Sequence, residues 1–269
     1  MSGNSQSKHK SIKAIGVIPA RYASTRLPGK PLVKIRGISL IERVFRRSAQ
    51  AQLLSELWVA TDDLRIAEHV EGFGGKVCLT SPDCPTGTDR LLEARQTIGQ
   101  ADVWINIQGD EPFVDPKQID ALVKAFEVEN VQDIATLIKR INSLEEYESD
   151  SEVKVVSDCN SNALYFSRAP IPWVDNRYEI DFSTQNMLYK HVGLYAFTEH
   201  VLNALSKMPQ SPLEEAERLE QLRWLEAGMK IKLVKTEHES RCVDTPQDVQ
   251  DLEAGFDSLF DADASYFHK

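Results

Sequence analysis

Four short apolar runs in the first half of the chain, at 14–19, 57–61, 76–79 and 103–108, are each followed by a stretch with helical spacing, at 39–53, 64–73, 89–99 and 116–127. Strands separated by helices of that length pair in parallel through right-handed crossovers. The alternation therefore predicts an α/β fold on a doubly wound sheet, which offers ligands the carboxyl ends of its strands. The second half reads differently. Runs at 134–141, 154–157, 163–167 and 192–197 have fewer helices between them, so the sheet is expected to be mixed with a small antiparallel extension. Ser211, Pro212 and Glu214 supply a cap, N1 and N3 for a helix predicted to run to 227 and stop at Gly228. A last helix is predicted after Thr245 and Pro246, and the Pro- and Asp-rich stretch 168–185 reads as a mobile loop.

With 269 residues, 42% of them hydrophobic, the chain can bury a substantial core as one large domain or two modest ones. The net charge of -10 argues against nucleic acid as a general partner, because phosphate contacts need a basic face. It leaves room for a small anion at a locally basic loop. Cys78, Cys84, Cys159 and Cys242 show no zinc or disulfide spacing and read as reduced thiols of a cytoplasmic enzyme. Residues 1–11 are polar and read as a disordered tail, 256–269 as an acidic one. No apolar run approaches the ~20 residues that span a bilayer, so no membrane partner is expected.

Directly after the first run comes PARYASTRLPGKP, which gathers Arg21, Arg26 and Lys30 within ten residues while Pro19, Pro28 and Gly29 keep it irregular. Cations concentrated beside a strand end suit a polyphosphate better than a merely solvated loop. Neither a GxxxxGK[ST] phosphate loop nor a GxGxxG dinucleotide fingerprint is present. The run at 103–108 delivers Asp110 and Glu111 after a glycine, and a carboxylate there can hold a divalent cation or cap the next helix. Asp244 could be a second ligand or turn chemistry. His191 reads first as structural, and Glu220 and Gln221 as a solvated pair on the capped helix.

These segments, PARYASTRLPGKPL, TGTDRL, NIQGDEP, ALYFSRAPIPW, YKHVGLYAF, LEQLR and VDTPQD, occur in the order and spacing of the 3-deoxy-manno-octulosonate (KDO) cytidylyltransferase family, and the resemblance covers about 12–252. It implies a nucleotide-diphospho-sugar transferase (GT-A-like) fold, with 12–130 as a nucleotide-binding half and 131–255 as a sugar-binding and dimerisation half of a single domain. The implied reaction joins CTP and KDO into CMP-KDO and pyrophosphate, with magnesium, in a homodimer, activating KDO for lipopolysaccharide. Mapped motif by motif, Arg21 and Lys30 would receive the triphosphate, and Ala20, Ser81, Thr86, Gly87 and Thr88 the cytidine. Asp110 and Asp244 would hold the metal. Arg90, Gln108, His191, Tyr195, Glu220 and Gln221 would form the sugar pocket, with Arg90 suited to the sugar carboxylate. Two departures stand out: TGTDR where SGTER is frequent, and Cys242 where glycine is frequent, beside a proposed ligand. The rivals are a relative acting on 8-amino-KDO or a sialic acid, and a binding protein that keeps the fold without catalysis.

Overall fold

Strand β1 (Ala14–Ala20) has the sequence AIGVIPA, apolar at almost every position as a strand buried on both faces requires. The computed structural model describes residues 12–24, 26–127, 133–175, 181–182, 187–238 and 242–260, and it places β1 inside a nine-stranded sheet. Ile15 and Val17 enter one core layer, Ala14 and Ile18 the opposite one, the period-two alternation of an extended chain. All four are fully buried, and each isoleucine or valine contributes about 1.5–3 kcal/mol.

A 3₁₀ turn at Lys30–Leu32 and the hairpin of β2 (Lys34–Ile35) and β3 (Ile38–Ser39) lead into α1 (Leu40–Ser48). Alternating units follow: β4 (Leu54–Thr61), α2 (Leu64–Gly72), β5 (Lys76–Leu79), α3 (Gly87–Ile98), β6 (Val103–Asn106) and α4 (Pro116–Ala125). Ser39, Asp63, Thr86 and Asp115 begin the four α-helices, each side chain accepting from a backbone N–H two or three residues on. Such a cap is worth about 1 kcal/mol. The second half contains β7 (Ile134–Arg140), α5 (Leu144–Glu148), β8 (Lys154–Ser157), β9 (Ala163–Ser167) and β10 (Tyr189–Thr198). It closes with α6 (Glu199–Leu205), α7 (Pro212–Glu217), α8 (Gln221–Glu226), β11 (Ile231–Lys235) and α9 (Pro246–Phe260).

The sheet order is β11-β7-β10-β6-β1-β4-β5. β1 pairs in parallel with β4 and β6, β4 with β5, and β11 with β7. β10 runs antiparallel to β6 and β7, and β8 and β9 extend from it antiparallel. This is the mixed α/β sheet with a small antiparallel extension that the alternation pattern predicts.

The structure corrects several boundaries. The single helix expected over 211–227 is two, because Arg218 takes a left-handed conformation (φ 55°) and turns the chain between α7 and α8. β11 has no counterpart among the expected strands; its two lysines mask a five-residue run that only pairing with β7 extends. α1 stops at Ser48, and β4 starts at Leu54 rather than at 57. α9 continues to Phe260, so helix reaches into the stretch read as an acidic tail. The amino-terminal tail, 176–180 and 183–185 of the expected mobile loop, and 261–269 lie outside the described residues. Among the described residues no helix is long and apolar enough to cross a membrane.

Candidate active site

Past Ala20 the chain leaves the sheet and folds back on itself. Gly29, at φ 67°, donates its N–H to the Tyr22 carbonyl at 3.1 Å, a left-handed conformation that favours glycine. Tyr22 is covered in turn by Arg65, whose guanidinium lies 3.4 Å from the ring centroid and is held by Asp63 at 2.6 Å. This buttress fixes where the 3₁₀ turn starts, and hence where Lys30 points.

Lys30 meets two acids from distant parts of the chain. Its ammonium is 2.7 Å from Asp110 Oδ2 and 2.9 Å from Asp244 Oδ1, and Arg26 reaches the same Asp244 oxygen at 3.1 Å. Gly109 makes the first approach possible, because a Cβ there would lie 2.6 Å from the Pro19 carbonyl oxygen. The second follows from one hydrogen bond, Val243 N–H to the Asp110 carbonyl at 2.9 Å, which ties the segment before α9 to the end of β6. Burial pulls the Lys30 ammonium down, but Asp110 and Asp244 together outweigh it and hold its pKa above the usual lysine value. Asp110 does not cap α4; Asp115 does.

The cluster sits in a cleft of about 310 Å³ at the carboxyl ends of β1 and β6. Of the residues singled out from the sequence, Ala20, Arg21, Lys30, Thr86, Gly87, Arg90, Gln108, Asp110 and Asp244 line it. Arg21 is exposed at the mouth. Arg90 is buried, with Nη1 donating to Thr80 Oγ1 at 2.5 Å and Nη2 paired with Asp62 at 3.1 Å. Its terminal nitrogens are thus engaged within the protein, a partnership with Asp62 that the sequence did not suggest.

The remaining candidates lie outside the cleft lining. Ser81 belongs to a turn where its N–H donates to Glu93 at 2.7 Å. Thr88 is buried and donates to Glu220 Oε2 at 2.9 Å, while Thr86 Oγ1 is 3.2 Å from Glu220 Oε1. Thr86 and Asp89 also form the capping box of α3, so the substituted TGTDR segment keeps a hydroxyl and a carboxylate bonded to each other. Glu220 reaches this helix end because of the break at Arg218; on one continuous helix it would belong to the polar face expected from the sequence. Burial raises its pKa above the usual carboxylate value, against the hydroxyl contacts. Gln221 is also buried, with Nε2 unpaired.

His191 stands on β10, its ring between Phe166 (centroids 5.3 Å) and Tyr195 (5.1 Å). Burial pulls its pKa down to about 3, so the imidazole is neutral. Two residues on, the Gly193 carbonyl accepts from Gln108 Nε2 at 3.0 Å, and Gln108 lines the cleft. The histidine and the cleft are therefore joined through one side chain.

Comparison with known proteins decides what carries this geometry. The cytidylyltransferase family model matches residues 15–231. The 3-deoxy-manno-octulosonate cytidylyltransferase of Parabacteroides distasonis is 47% identical over 244 residues, 89% of this chain and 96% of that one. That of Geobacter sulfurreducens is 48% identical over 239 residues, 87% and 95% of the two chains. The chain belongs to the 3-deoxy-manno-octulosonate cytidylyltransferase family.

A CTP complex of CMP:2-keto-3-deoxy-manno-octonic acid synthetase, 41% identical, superposes with a TM-score of 0.85 over 91% of this chain and 99% of that one. The fold is that of the nucleotidyltransferase family. Against the family's frequent glycine, Cys242 leaves the neighbouring backbone tied, since Val243 bonds Asp110 and Asp244 N–H donates to Asp248 at 2.8 Å. Arg26 was visible in the basic loop but carried no motif assignment, and the structure places it on Asp244. Thr136, which bonds His191 at 2.9 Å, sits in an apolar strand context that offered no signal, and Asp62 follows the end of β4 beside Asp63, the cap of α2, with nothing in its spacing to link it to Arg90.

Proposed function

We propose that the chain transfers CMP from CTP to the anomeric hydroxyl of KDO, giving CMP-KDO and pyrophosphate, and that it supplies activated KDO for lipopolysaccharide as a cytoplasmic homodimer. The observation that supports it best is the convergence of Lys30, Asp110 and Asp244 at the strand ends beneath a basic loop, in a chain 41% identical to a CTP-complexed synthetase. Two carboxylates that share one cation at 2.7 and 2.9 Å can meet a single hard ion. Among the described residues no third His, Cys, Asp or Glu joins them. Asp110 and Asp244 are the residues that would hold magnesium, which would supply a divalent Lewis acid there.

In this reading the sugar hydroxyl oxygen attacks the α-phosphorus, the bond to the β-phosphate oxygen breaks, and pyrophosphate departs in line. The hydroxyl proton goes to water. Lys30 transfers its hydrogen bonds from the two aspartates to phosphate oxygens and offsets the charge that builds on the leaving group. Arg21 and Arg26 attract the polyanion at the cleft mouth. Gln108, His191, Tyr195, Glu220 and Gln221 form the sugar side. The test is pyrophosphate release with CTP and magnesium, with KDO, 8-amino-KDO or a sialic acid in parallel. Release with KDO alone is expected. Release only with another sugar would move the substrate, and no release from folded, CTP-binding protein would overturn catalysis.

A further inference from the structure

Strands β10 and β7 do not pair evenly. The register runs His191 opposite Ile138 and Val192 opposite Leu137, then jumps to Tyr195 opposite Thr136, so Gly193 and Leu194 are extra residues in a bulge. Bulges re-aim side chains near active sites. Two polar side chains hold this one: Gln108 Nε2 donates to the Gly193 carbonyl at 3.0 Å, and Thr136 Oγ1 lies 2.8 Å from the Leu194 carbonyl oxygen. Thr136 is fully buried.

The same hydroxyl is 2.9 Å from His191 Nε2. A hydroxyl has one proton to give. The Leu194 carbonyl can only accept, so at 2.8 Å it takes that proton; otherwise two lone-pair oxygens would face each other. Thr136 must then accept from His191, which requires the proton on Nε2. The ring is neutral, so Nδ1 carries a lone pair. Among the described residues Nδ1 has no hydrogen-bond partner.

We infer that Thr136 is a positioning residue that holds His191 as the Nε2–H tautomer, so that Nδ1 accepts a hydrogen bond from a hydroxyl of the sugar substrate. This rests on the cytidylyltransferase reading for the identity of the sugar and for its place beside His191. It excludes the sugar carboxylate and any phosphate as the partner of His191, since both are acceptors. It also makes Thr136 a determinant of sugar binding without contact to the sugar.

The experiment combines a spectroscopic and a kinetic arm on the full chain. Two-bond proton–nitrogen correlation on [¹⁵N]histidine-labelled protein, with His191→Gln to assign the ring, reads the tautomer without any substrate. The wild type is expected to show a protonated Nε2 and a bare Nδ1. Thr136→Val, close in shape but lacking the hydroxyl, is expected to release that preference and raise KM for KDO about tenfold, the worth of one neutral hydrogen bond. KM for CTP should stay within twofold. Thr136→Ser should restore both the tautomer and the sugar KM, which separates positioning from simple packing. A protonated Nδ1 in the wild type, or Thr136→Val with unchanged tautomer and unchanged sugar KM, overturns the inference. A wild type with the expected tautomer but no turnover of KDO overturns instead the substrate reading, and with it the hydroxyl contact.

Discussion

Lys30 and Asp110, 80 positions apart in the chain, meet at 2.7 Å, and the same ammonium reaches Asp244 at 2.9 Å. In the proposed reading, the cation that would meet phosphate is thus paired, together with Arg26, with the two carboxylates that would hold the metal. Each charge keeps the others tolerable in a partly buried cleft, where an unpaired one would be costly.

Removing that cation should separate the two roles of the cluster. Lys30→Met is expected to cut turnover by a factor of about 10² to 10³, the range for losing one preorganised donor at a developing charge. Without nucleotide, however, it should bind Mn²⁺ more tightly than wild type, because the aspartates lose their internal partner. Titration of free Mn²⁺ by electron paramagnetic resonance checks this; equal affinities would mean that Lys30 does not compete with the metal.

Asp110→Asn and Asp244→Asn should both lose most activity while their melting temperatures stay near wild type, since Lys30 retains one aspartate in each. Steady-state pyrophosphate release beside a thermal melt distinguishes the two effects. Near-normal turnover in either variant would remove that residue from the metal site.

Gly109→Ala tests the backbone rather than the charge. A methyl placed 2.6 Å from the Pro19 carbonyl oxygen must push β1 and the end of β6 apart. The expected cost is about 1–3 kcal/mol, typical of overpacking, together with a loss of activity as Asp110 moves from Lys30. Urea denaturation measures the first and pyrophosphate release the second.

Stability should respond to pH in two opposed ways. His191 has a folded pKa of about 3, below its ordinary 6.5, so the unfolded chain binds the proton more readily between those values. Its contribution is fully present above pH 6.5 and is lost as pH falls towards 3. Glu220 is raised above 4.5, so its contribution is full below 4.5 and is lost as pH climbs to its folded value. His191→Gln should therefore soften acid denaturation, and Glu220→Gln should raise the neutral melting temperature relative to the acidic one. Melting curves from pH 3 to 8 read both slopes.

The parallel core and the basic loop were legible because each is a local pattern. A continuous apolar run marks AIGVIPA as a strand buried on both faces, and three cations within ten residues need no partner to be noticed. The helix break at Arg218 was not legible. Ser211, Pro212 and Glu214 start a helix unmistakably, but no glycine or proline marks its end, and the left-handed turn falls on an arginine. Glu220 was consequently expected on a solvated face and is found bonded to Thr86 and Thr88.

By itself the sequence determined the strand–helix alternation of the first half, the presence of a phosphate-suited loop, and the acids at the ends of β6 and before α9, because propensity, spacing and charge density act over a few residues. Tertiary structure alone decided which of these meet. Lys30 finds Asp110 and Asp244 because β1 and β6 are neighbours and Val243 is tied to Asp110. His191 finds Thr136 because a bulge shifts the register of β10 against β7. Contacts between residues 55 or 214 positions apart depend on sheet order and register, which no short-range pattern encodes.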